Sequence, residues 1–158
     1  MSPSDDAIRR FLAELAGEPF SLELETIAGG ASPRRFHRVR RRSATAGVRT
    51  LFGGADTAIV MEVPPDTPDV AFARGLGRPW PFLEVRALLE AAGVRVPRVL
   101  ADASSRGLLL VEDLGKTLAE HLTLHPGERD AFYALAVRDL ARAQAALDPL
   151  PNDSVVRL

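Results

Sequence analysis

The chain is 158 residues long, 46% hydrophobic and 26% charged, with a formal net charge of −1 and no cysteine. A chain of this length can bury one sizeable core, and the near-neutral balance gives no general case for binding nucleic acid or a membrane surface. The lack of cysteine excludes disulfides and thiolate metal sites and fits a reducing compartment.

The start, Met1-Ser-Pro-Ser-Asp-Asp, is acidic and lacks the apolar core of a signal peptide, and no apolar run approaches the ~20 residues of a membrane span. A cytoplasmic location without membrane partners is expected. Of the basic side chains all but Lys116 are arginine, so any chemistry that needs a lysine in this chain has one candidate.

Ser4-Asp5-Asp6 can cap a helix from about Ala7 to Ala16, with Ile8, Phe11, Leu12 and Leu15 as its apolar stripe and Gly17 and Pro19 as its stop. Phe20 to Ile27 alternates apolar and polar residues and reads as a half-buried strand. Ala28-Gly-Gly-Ala-Ser-Pro33 is a turn. Arg34 to Arg42 and Ala55 to Val63 are further strands, joined by a loose connection that contains glycine. The three strands make an antiparallel meander.

Pro64-Pro65 closes the third strand, and Asp66 to Pro81 is expected as an irregular loop holding the one tryptophan, Trp80. Phe82 to Ala92 is helical, with Phe82, Val85, Leu88 and Leu89 on one face and Gly93 as its stop. Val94 to Leu100 is extended, and Ala103 to Gly107 turns. Leu108 to Val111 is an unbroken apolar run that fits a strand buried on both faces. It ends abruptly in Glu112-Asp113-Leu114-Gly115.

Helices are expected from Thr117 to Leu124 and from Glu128 to Leu147, the second with Phe132, Leu135, Ala136, Leu140 and Ala143 at helical spacing. Pro149, Pro151 and Asn152 break it. The fold class is α+β, an antiparallel sheet followed by helices.

Several patterns could carry chemistry. Gly29, Gly30, Ala31 and Ser32 lie between two strands, where small residues let backbone N–H groups approach phosphates, and Arg34 and Arg35 can add charge-assisted hydrogen bonds. An ordinary hairpin turn is the alternative, and no Walker A lysine is present. Arg34, Arg35, Arg38, Arg40, Arg41 and Arg42 could form a nucleic-acid patch, but only Phe36 and His37 could stack there, and a charged strand edge explains the cluster better.

His121 and His125 could share a helix face, without a third metal ligand nearby. No Gly-x-Ser-x-Gly elbow and no His-x-Asp-x4-Asn pattern occurs. Glu84, on the helix after the third strand, reads as a surface residue.

The segments Gly30 to Val39, Ile59 to Pro65, Pro81 to Leu89, Gly93 to Ala101, Gly107 to Gly115 and Tyr133 to Pro151, in this order and spacing, resemble the aminoglycoside phosphotransferase family of the kinase-like fold. The nearest branch is the cell-wall amino-sugar anomeric kinases. The resemblance runs from about residue 8 to the end.

It implies a protein-kinase-like nucleotide lobe at 1–111, a hinge at 112–116 and the start of an incomplete helical lobe at 117–158. By that likeness Gly29 to Ser32 with Arg34 and Arg35 would cover the ATP phosphates. The Glu112 carbonyl and the Leu114 N–H would hold adenine, and Ile27, Val39 and Val60 would form the apolar shelf around the base. The family's phosphate-pairing lysine would fall near Met61 or Glu62, which leaves phosphate contact to arginines.

The catalytic aspartate and the magnesium ligands would come after residue 158, so no catalytic residue is assigned and these residues alone are expected to be inactive. The partners implied are ATP, Mg2+ and a sugar acceptor. The alternative is a non-catalytic module that binds nucleotide or a partner and associates with itself through the uncovered last helix.

Overall fold

The computed structural model describes residues 3–28, 32–42, 45–64 and 67–149. They form two compact units, Met1–Ala71 with Pro97–Asp113, and Phe72–Val96 with Leu114–Leu158.

The first unit is built on a five-stranded antiparallel sheet: β1 (Leu22–Ile27), β2 (Arg35–Arg41), β3 (Thr57–Glu62), β4 (Val99–Ala103) and β5 (Leu108–Glu112). The order across the sheet is β1-β2-β3-β5-β4. The last strand is therefore inserted between β3 and β4. That placement explains its composition, because a strand flanked on both sides and buried on both faces has no solvent side to make polar. Leu108, Leu109, Leu110 and Val111 are all buried.

Register decides which side chains meet. Leu24, Val39 and Ala58 lie side by side, as do Val60 and Leu110, and Glu62 and Leu108. This face of the sheet carries the core. Helix α1 (Pro3–Ala16) covers it with Ile8, Phe11 and Leu12, and α2 (Ala46–Leu51) brings Val48, with Phe52 just beyond it. Burying side chains of this size stabilises the unit by about 1.5–3 kcal/mol each.

Helix α1 begins at Pro3, earlier than the expected cap, so Asp5 and Asp6 occupy its first turn, where carboxylates oppose the positive end of the helix dipole. Leu15 of the expected stripe is 42% exposed. Spacing puts Ile8, Phe11 and Leu12 on the face toward the sheet, and the short α1 needs no more.

Two helices replace expected irregular segments. Helix α2 lies in the loose connection between β2 and β3. Its signal is only Val48, Leu51 and Phe52 at i, i+3 and i+4, too short to stand out, and packing in the core makes it a helix. Helix α3 (Pro68–Gly75) lies in the expected loop. Thr67 before Pro68 is the signature of a helix start, and the Ala71 N–H donates to the Thr67 carbonyl at 2.9 Å. The extended segment before β4 is also shorter than expected. Regular pairing starts only at Val99, with a register irregularity against β5 between Val99 and Ala101.

Within the second unit, α4 (Pro81–Ala91) begins with proline at its first position, with Trp80 buried just before it. Helix α5 (Leu118–Leu124) has a capping box. The Thr117 hydroxyl accepts from the Glu120 N–H at 3.2 Å, and the Glu120 carboxylate accepts from the Thr117 N–H at 2.7 Å. Helix α6 (Arg129–Ala146) buries Ala143 but leaves Leu135 and Leu140 of its expected stripe exposed. Pro151 and Asn152, its expected breakers, lie outside the described residues, as do Ser154 to Leu158. No helix among the described residues is long and apolar enough to cross a membrane.

The turn into β5 turns on one glycine. Gly107 has φ +80°, its carbonyl accepts from the Val63 N–H at 2.9 Å, and a Cβ added to it would meet the Val63 carbonyl oxygen at 2.7 Å. Both the left-handed backbone and the close approach exclude a side chain. Gly107→Ala is expected to lower stability by about 2 kcal/mol or more. Urea unfolding measures it, and an unchanged midpoint would refute the packing described.

Candidate functional site

The sequence-derived site is a loop, a shelf and a hinge. Of the loop, Gly29, Gly30 and Ala31 lie outside the described residues. Ser32 is exposed, and its hydroxyl accepts from the Arg34 N–H at 3.2 Å, a local bond that tightens the entry to β2. Arg34 is half-buried, and Arg35 at the start of β2 is exposed, opposite Glu62.

The structure separates the three shelf residues. Strand side chains alternate between faces, so Val39 and Val60, both 0% exposed, point into the core beneath α1 and α2. Ile27 is of the opposite parity in the ladder and lies on the other face, beside Phe36. Phe36 in turn faces Met61, and Arg38 faces Ile59 and, one strand further, Val111. The surface that shares a face with Ile27 is thus Phe36, Ile59, Met61, Leu109 and Val111. Val39 and Val60 belong to the hydrophobic core.

Met61 and Glu62, the positions near which a phosphate-pairing lysine would fall, have other roles. Met61 is buried. Glu62 lies on the core-bearing face, where its carboxylate is 3.4 Å from Nε2 of the buried His37, whose Nδ1 is 3.3 Å from the Thr26 hydroxyl.

At the expected hinge the two acids are bound from different segments, Arg98 just before β4 and Arg38 of β2. The Glu112 N–H donates to the Arg98 carbonyl at 2.9 Å, and the Glu112 carboxylate accepts from the Arg98 N–H at 3.1 Å. Asp113, whose side chain is 5% exposed, accepts a 2.8 Å bond from Nε of Arg38. That hydrogen bond is the main reason the Arg38 guanidinium titrates above even its ordinary high value, with the Asp113 and Glu25 charges adding to it and desolvation opposing it. No local pattern marks this pair, since its members are 75 residues apart. Leu114, two residues beyond the strand, is exposed.

The arginine cluster is not an edge. Strand β2 is internal, between β1 and β3. Its arginines meet carboxylates: Arg38 with Asp113 and Glu25, Arg41 with Asp56, and just beyond the strand Arg42 with Glu23. Glu84 is not a simple surface residue either, because it holds Arg78 at 2.8 Å and its side chain is 14% exposed.

Among the described residues no three His, Asp or Glu side chains converge to hold a metal. His121 and His125 do share a face, with ring centroids 4.7 Å apart, and Nε2 of His121 lies 2.8 Å from Glu128. That bond from His121 holds the Glu128 carboxyl below its ordinary range.

Comparison with curated proteins relates the chain to a kinase. It is 33% identical over 151 residues to the N-acetylmuramate/N-acetylglucosamine kinase of Pseudomonas aeruginosa. The match covers 93% of this chain but 38% of the relative, so the chain spans well under half of that protein's length. No family model matches the chain, and no solved structure does.

Two outcomes check these placements. Val60→Ala is expected to cost about 2 kcal/mol of stability, the loss of buried methyl groups from a core position, read by urea unfolding. A lowered carboxylate pKa contributes stability that is present above its unfolded value and lost as pH falls through the folded one. Wild type should therefore lose stability relative to Glu128→Gln as the pH falls through that lowered range, and parallel pH profiles for the two proteins would contradict the His121–Glu128 bond.

Proposed function

We propose that the chain is the nucleotide-binding part of a sugar or amino-sugar kinase of the aminoglycoside phosphotransferase family, one that transfers the γ-phosphoryl group of ATP to a hydroxyl. The observation that carries the reading is the 33% identity to the amino-sugar kinase, maintained over 151 residues that include the turn, the sheet and the hinge. The fold is compatible with it, an antiparallel sheet whose last strand leaves from beside the central one.

In this reading adenine lies on the sheet face opposite the core, over Ile27, Phe36 and Ile59. Its edge is read by the Glu112 carbonyl and the Leu114 N–H. These residues fit such a ligand: Ile27, Phe36 and Ile59 are apolar yet only half-buried, and a flat base covers apolar surface of that kind. Val39 and Val60 support the shelf from the core side of the sheet without touching the base.

The turn Gly29 to Ser32 and the side chains of Arg34 and Arg35 hold the phosphates. Magnesium, when bound, would neutralise charge on the transferring phosphoryl group. No residue of this chain is assigned as its ligand or as catalytic base, because the His-x-Asp-x4-Asn pattern is absent. Phosphoryl transfer by residues 1–158 alone is therefore not expected.

Calorimetric titration tests the reading. The chain should bind both ATP and adenosine. Replacing Arg34 and Arg35 together with alanine should weaken ATP about tenfold by removing charge-assisted phosphate contacts, and leave adenosine within about twofold. A folded chain that binds neither ligand would sink the proposal.

A further inference from the structure

We propose that the Arg38–Asp113 ion pair is a positioning clamp, one that holds the backbone of Glu112 and Asp113 in the orientation that the base of a bound nucleotide reads. The inference rests on the nucleotide-binding reading above and adds to it a residue that no motif marks.

The geometry of the pair is unusual for a mere surface contact. Arg38 faces Ile59 on β3, which faces Val111 on β5, and Asp113 lies two residues past Val111. To reach Asp113 the Arg38 side chain must cross β3 diagonally, over a β2-to-β5 spacing of about 9.5 Å. It does so on the face that carries Ile27 and Phe36. That face is therefore graded along β2, apolar where Phe36 begins it and charged where Arg38 points toward the hinge.

Asp113 itself lies outside the strand ladder, which ends at Glu112. From there to Thr117 the chain has no regular structure, and Gly115 adopts φ +82°. A stretch of this kind has little intrinsic reason to keep one orientation.

Among the restraints on it are Arg98, just before β4, and Arg38 of β2. Arg98 binds the Glu112 N–H and carboxylate, which fixes the last ladder residue. Arg38 binds the next carboxylate at 2.8 Å, and that side chain is 5% exposed and so little screened by solvent. Together they restrain the peptide between Glu112 and Asp113, the one whose carbonyl the proposal offers to adenine. An arginine suits the task, since its planar guanidinium is always charged and loses less freedom per hydrogen bond formed than a lysine ammonium.

Titration of the full chain with adenosine and with ATP tests the clamp, at a temperature well below the melting point of every variant used. Arg38→Gln and Asp113→Asn should each weaken adenosine and ATP by the same factor, about tenfold, and Arg38→Lys should recover part of the loss. Equal factors are the signature, because a phosphate contact would affect ATP alone.

Wild-type binding of both ligands with unchanged adenosine affinity in Arg38→Gln overturns the clamp and leaves the nucleotide reading standing. A wild-type chain that binds neither overturns both. Amide hydrogen exchange gives a readout without ligand: Arg38→Lys and Asp113→Asn should speed exchange at residues 113–115 and leave Leu109 and Val111 unchanged. Unaltered exchange at 113–115 would also overturn the proposal.

Discussion

The sheet of the first unit depends on inserting β5 between β3 and β4. A strand in that place must be apolar on both faces, must be entered through a turn tight enough to bring Gly107 against Val63, and must be left through a segment that no longer has ladder partners. The first demand accounts for the four buried residues Leu108 to Val111. The second excludes a side chain at position 107. The third accounts for the arginines: the chain emerges beside central strands, and its two exit carboxylates are met by Arg98 from one side and Arg38 from the other. One topological fact thus links a hydrophobic run, a glycine and two ion pairs spread over the sequence.

The face assignment follows from the same sheet. A pleated strand offers each residue to one side only, so a core beneath α1 and α2 that takes Val39, Ala58, Val60 and Leu110 leaves the other side to Ile27, Phe36, Arg38 and Ile59. The core side is closed by Ile8, Phe11, Leu12, Val48 and Phe52. The second face carries the half-buried Ile27, Phe36 and Ile59 together with Arg38, which reaches across it to Asp113.

Legibility in the sequence divided along physical lines. The strands and the long helices were readable because their periodicity is local: Leu22 to Ile27 alternates, Ile8, Phe11 and Leu12 recur at helical spacing, and Leu108 to Val111 is a continuous run. Helix α2 was not, because six residues cannot show a period and its stability comes from Val48 and Phe52 entering a core built elsewhere in the chain. Helix α3 has a local signal in Thr67-Pro68, a helix start set within a stretch otherwise rich in proline and glycine.

The three expected shelf residues are of mixed parity, since hydrophobicity alone does not say which face a valine takes once both faces are partly apolar. The ion pairs were beyond reach for a different reason. Arg38 and Asp113 meet only after two intervening strands have set their register.

The arginine content gains its meaning only in this folded context. Six arginines between positions 34 and 42 look, in one dimension, like a charge patch seeking a polyanion. In three dimensions the run lies along an internal strand and just beyond it, and Arg38, Arg41 and Arg42 face Asp113, Asp56 and Glu23. A polyanion would have to displace these carboxylates, giving back for each phosphate contact what the intramolecular pair already supplies, so its gain would be small.

Arg34 and Arg35 lie at the turn end of the strand, where the Arg34 N–H donates to the Ser32 hydroxyl. Neighbouring arginines of the same chemical type thus have different surroundings, Arg34 beside Ser32 at the turn and Arg38 across the sheet at Asp113.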